Sequence, residues 1–198
     1  MSFSEEYLIE TITIVSMLNR EDIEAVANAL GKVRDSQGRL FILGVGGSAG
    51  HATHAVNDFR KICRFEAYTP TDNACELTAR INDDGWDTCF SAWLAGSHLN
   101  EKDAVLVLSV GGGNREKNVS MNLVKALEYA QSVKATIVGV VGKDGGYTKQ
   151  SSSACVVIPP FVSDRITPHT EGICSVVLHL LATHPALKVD VTKWESVK

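Results

Sequence analysis

RLFILGVGGSAGHATHAVNDF, residues 39–59, changes character twice. Its first part, through residue 45, is a short apolar run without polar alternation, the mark of a strand covered on both faces. Gly44, Gly46 and Gly47 then break the run, and from residue 49 onward the spacing is helical. A strand that passes through a glycine-rich turn into a helix is the opening unit of a doubly wound sheet.

Downstream, the same alternation repeats. AVLVLSV (104–110), ATIVGVV (135–141) and ACVVIP (154–159) are further apolar runs, and Phe65–Tyr68 is a short fifth. Helical spacing fills 49–63, about 73–81, 87–98, 116–132 and 170–183. The pattern predicts a three-layer α/β fold: a doubly wound, flavodoxin-like, mostly parallel five-stranded sheet with helices on both faces. Upstream, residues 4–18 and 21–34 carry helical apolar spacing outside this alternation. These two leading helices, within residues 1–36, are expected to pack on the domain and against a second subunit. The 198 residues are read as a single domain.

Composition narrows the function classes. A net charge of −4 and a pI near 5.9 do not point to a nucleic-acid partner. No apolar run approaches the ~20 residues of a membrane span, and residues 1–18 lack the basic start of a signal peptide. The five cysteines are scattered, odd in number and without CxxC spacing, so free thiols in a reducing, cytoplasmic compartment are expected.

Sheets of this kind bind ligands at the carboxyl ends of their strands. Two runs end there in glycine turns, Gly44-Val45-Gly46-Gly47-Ser48 and Ser109-Val110-Gly111-Gly112-Gly113-Asn114. Backbone N–H groups in such a turn, with a helix N-terminus behind them, suit a phosphate without Lys or Arg. Neither turn has the spacing of a dinucleotide fingerprint or a P-loop. Gly46, Gly47, Ser48, Ser109, Gly111, Gly112, Gly113 and Asn114 are therefore the candidate phosphate-binding residues.

A second constellation lies on helices. His54 and Asp58 are one turn apart and share a face. Glu171 and His179 are just over two turns apart on the last long helix and also face one way. Two imidazoles and two carboxylates suit zinc or another first-row divalent metal. The same groups serve equally as acid–base catalysts.

These residues resemble a known family. GVGGSAGHATHAVNDF (44–59) is similar to the first phosphate turn and following helix of phosphoheptose isomerases, within the sugar-isomerase (SIS) domain superfamily. ARINDDGWDTCF (79–90), AVLVLSVGGGN (104–114), VGKDGGYT (141–148) and the histidine of the last helix resemble further family segments in order. The resemblance implies a homotetramer with sites between subunits, a zinc ion, and conversion of sedoheptulose 7-phosphate to the manno-heptose 7-phosphate aldose. It matches His54 to the family's metal-binding histidine and His179 to its histidine that binds metal or carries a proton. Asp58 or Glu171 is then read as the base with His179 as its partner, and His54, Asp58, Glu171 and His179 as the metal ligands. Asn82 and Asp83, in the Asn-Asp-aromatic segment, become substrate candidates, and His169 in ITPHTEG (166–172) is a further candidate outside the family pattern. Asp58 stands where the family has a glutamate, Glu171 where it has a glutamine and Val45 where it has an asparagine. A non-catalytic relative that binds a sugar phosphate as a regulator or adaptor would share the turns. The retained His54, Glu171 and His179 favour the enzyme.

Overall fold

Leu40–Leu43 (β1) is buried along its whole length, as its unbroken apolar run requires. It is a central strand of a five-stranded sheet described by a computed structural model covering residues 1–193. The other strands are Ala67–Tyr68 (β2), Ala104–Ser109 (β3), Thr136–Gly142 (β4) and Ala154–Ile158 (β5). Their order is β2-β1-β3-β4-β5 and every pairing is parallel. That is the flavodoxin-like arrangement the sequence predicts, with its direction of winding reversing between β1 and β3.

The helices are Phe3–Met17 (α1), Arg20–Asp35 (α2), Gly47–Lys61 (α3), Ala74–Asp84 (α4), Cys89–Gly96 (α5), Met121–Ser132 (α6), Gly146–Ser151 (α7) and Ile166–Thr183 (α8). One core lies between the sheet and α2, α3 and α8, built on residues such as Leu30, Phe59, Leu178 and Leu181. The opposite core joins the sheet to α5 and α6 through Phe90, Leu94, Leu123 and Leu127. α1 differs from α2. It starts cleanly, with Ser2 and Glu5 forming a reciprocal capping box, yet only Glu10 and Ile14 are buried along it.

Three boundaries differ from the sequence reading. The helix expected over 116–132 begins at Met121, because Asn114 and Val119 pair as an antiparallel bridge and close a loop before it. α8 begins at Ile166 rather than 170, with Pro168 in its first turn, where a missing N–H breaks no helical bond. VGKDGGYT contains the start of α7, a helix too short to leave a periodic signature.

Candidate active site

α3 and α8 run side by side on one face of the sheet, and the histidine–carboxylate set lies along their seam. Phe59 on α3 and Val177, Leu178 and Leu181 on α8 anchor both helices in the core, which fixes the rotation that turns residues 54, 58 and 179 toward each other. The His54 and His179 Nε2 atoms are 3.1 Å apart. Asp58 Oδ2 lies 3.1 Å from His54 Nε2 and 3.7 Å from His179 Nε2. The imidazoles are 50% and 45% exposed and the carboxylate between them only 4%. Asn57 donates to the other Asp58 oxygen at 3.0 Å. A single hydrogen can lie between the two Nε2 atoms, so the pair shares one donor.

These three donors are the one group of His, Cys, Asp or Glu among the described residues that can converge on a metal ion. Ligands ~2.0–2.1 Å from a tetrahedral zinc lie roughly 3.3–3.4 Å from one another. Separations of 3.1, 3.1 and 3.7 Å are close to that spacing, so the three donors would fit such an ion.

Glu171 does not join the triad. Its carboxylate lies against Gly47, so closely that a Cβ on that glycine would fall 2.4 Å from Oε1. Glu171 thereby supplies a negative charge at the N-terminus of α3, where the helix dipole favours one. Gly46 tolerates the turn before it through a φ of 62°. Ser48 is buried behind the same turn.

The second glycine turn is built differently. Gly112 and Gly113 have φ of 66° and 78°. Their carbonyls accept hydrogen bonds from the Thr148 and Tyr147 amides at 2.9 and 2.8 Å, which seats the turn on the start of α7. Ser109 Oγ accepts from the Gly112 amide at 3.0 Å, and the Asn114 amide is spent on Val119 at 2.9 Å. Among the described residues, no protein acceptor takes the Gly111 or Gly113 N–H or the Ser109 O–H. Asn122, wholly buried at the second residue of α6, has an amide nitrogen with no partner among the described residues. Sequence reasoning passed over it, because the helix was expected to start earlier.

Three further candidates lie apart from the triad. The His169 side chain is 3% exposed, 2.8 Å from Glu10 and stacked on the Tyr7 ring at 4.3 Å. Residues two apart on a helix point ~200° away from one another, so 169 meets α1 while 171 meets α3. Asn82 and Asp83 lie exposed on the last turn of α4, hydrogen-bonded to each other at 2.8 Å rather than to the triad.

No family profile matches the chain. It is similar to the phosphoheptose isomerase of Rhodospirillum rubrum, 30% identical over 165 residues, 79% of this chain and 82% of that protein. A phosphoheptose isomerase of Fusobacterium nucleatum is 28% identical over 184 residues, 91% of this chain and 89% of the relative. The fold is also that of a phosphoheptose isomerase solved from Neisseria gonorrhoeae. That match has a TM-score of 0.77 at 20% identity, over 90% of this chain and 94% of the other.

Proposed function

The chain belongs to the phosphoheptose isomerase family, and on that premise we propose that it converts sedoheptulose 7-phosphate to D-glycero-D-manno-heptose 7-phosphate through an enediol. The observation that carries this reading is the convergence of His54, Asp58 and His179 on the α3–α8 seam.

The reaction moves one proton from C1 to C2 and another from the C1 oxygen to the C2 oxygen. Asp58, 3.1 Å from His54 and standing where the family has a glutamate, or Glu171, without a side-chain hydrogen bond among the described residues, takes the carbon proton. Without an ion, His179 Nε2 carries the proton between the two oxygens. His54, Asp58 and His179 would together hold a divalent cation, zinc by donor chemistry, supplying a Lewis acid for the carbonyl oxygen. Ser48, Ser109 and the Gly111 and Gly113 amides would bind the distant phosphate, whose binding energy fixes the reacting end.

Assembly into a homotetramer is part of the same proposal. α1 turns Leu8, Ile9, Ile12 and Val15 outward, and α8 does the same with Val176 and Leu180. Apolar faces of this kind mark contact surfaces. Cysteines 63, 75, 89, 155 and 174 are all free, which supports a reducing, cytoplasmic setting. No helix among the described residues is long and apolar enough to cross a membrane.

Incubation with sedoheptulose 7-phosphate, with and without a chelator, tests the reading. Aldose formation supports it, and its loss on chelation with recovery on adding zinc assigns the ion. No aldose from zinc-loaded protein refutes it.

A further inference from the structure

Asn57 breaks a local rule. It stands inside α3, where asparagine is a poor helix former because its side chain competes for backbone hydrogen bonds. It adds nothing to the core: Val56 and Asp58 on either side are buried, and Asn57 itself is exposed. It caps no helix end. What it does is donate through Nδ2 to Asp58 Oδ1 at 3.0 Å. Adjacent residues on a helix point ~100° apart, so spacing alone does not bring such a pair together.

Asp58 is held on both of its oxygens. Oδ2 lies 3.1 Å from His54 and 3.7 Å from His179, and Oδ1 takes the Asn57 amide. The terminal torsion of an aspartate is broad, so an untied carboxylate swings and offers a cation one oxygen or both. The bond to Oδ1 occupies that oxygen and keeps Oδ2 between the two imidazoles. Asp58 is one methylene shorter than the glutamate the family has there, so its aim depends on what holds it. Outer partners of this kind orient metal-binding side chains and tune their affinity.

We propose that Asn57 is a positioning residue: its amide holds Asp58 Oδ1, so that Oδ2 alone faces His54 and His179 as a one-oxygen ligand. The inference rests on the reading of His54, Asp58 and His179 as the holders of a divalent cation.

Asn57→Ala in the full-length protein tests it, with zinc affinity measured by competition against a chromophoric chelator. Alanine removes the donor and suits the helix better, so the melting temperature of the zinc-free protein should match or exceed that of wild type. Zinc affinity is expected to fall by about 10–100-fold. Asp58→Glu restores the longer carboxylate, which reaches past Asn57. In that background Asn57→Ala should cost less than about twofold, because the contact it removes is already lost. Unchanged zinc affinity in Asn57→Ala, or an equal loss in both backgrounds, overturns the proposal. If wild type takes up no zinc, the metal reading fails, and the positioning is judged from crystal structures of wild type and Asn57→Ala. An Asp58 carboxylate that turns away from the imidazoles in Asn57→Ala upholds it, and one that keeps the wild-type orientation refutes it.

Discussion

Asp58 and His179 differ in setting at the level of single residues: the carboxylate is 4% exposed, the imidazole 45%. Replacing His179 by Ala removes no core packing, so thermal stability should stay near that of wild type. kcat is expected to fall by about 10²–10⁴, the usual worth of a positioned acid–base group. A steady-state assay beside a melting curve checks both halves. Gly112 is the opposite case, a residue with structural weight and no side chain. A Cβ there would meet the Gly145 carbonyl at 2.0 Å, at a φ of 66°. Gly112→Ala should destabilise by about 1–3 kcal/mol, read from urea unfolding. The sequence set His54 and Asp58 with Glu171 and His179 as one group of four, of which the structure brings His54, Asp58 and His179 together. Glu10 was not legible, because its partners lie 155 and 159 positions away and an acid on a leading helix reads as solvated.

Among the elements, α1 buries a single apolar side chain, Ile14, and meets α8 largely through charge. Hydrogen bonds from Arg165 first, and from His169 next, hold the Glu10 carboxyl down from its ordinary 4.5 to about 2. Arg165 and His169 face it from α8, and Glu6 lies one turn away on its own helix. A carboxyl with a lowered folded pKa stabilises above its unfolded value and ceases to do so as pH falls through the folded one. α1 should therefore stay docked above about pH 4.5 and loosen progressively toward pH 2. Hydrogen-exchange protection of residues 3–17, corrected for the intrinsic rate, follows this directly, and protection that does not change over that range contradicts it. The strands were readable because each apolar run is buried on both faces, so composition alone marks them. α7 was not, because its helix spans only Gly146–Ser151 and opens on two glycines of positive φ that read as a turn. The rotation of α8 was equally hidden: spacing placed Glu171 and His179 on one face, but not His169 on the other.

For the whole molecule, the sheet order puts both glycine turns at the carboxyl ends of β1 and β3, the neighbouring strands where the winding reverses and a doubly wound sheet takes its ligand. The outward face of α1 is apolar, and the proposed tetramer makes it a subunit contact. Ile12 is 69% exposed, and Ile12→Glu should shift sedimentation toward smaller species with unchanged helix content if that face is a subunit contact. Unaltered sedimentation would place the contact elsewhere. The claim on which the account turns is that the triad and Glu171 move a proton between adjacent carbons of a ketose phosphate. Proton NMR of sedoheptulose 7-phosphate in D₂O with the zinc-supplemented protein measures that event itself. The account predicts loss of a C1 proton signal as deuterium enters, with the aldose appearing in step, and neither change with His179→Ala. A C1 signal that persists with wild type, or that disappears equally fast with His179→Ala, contradicts it.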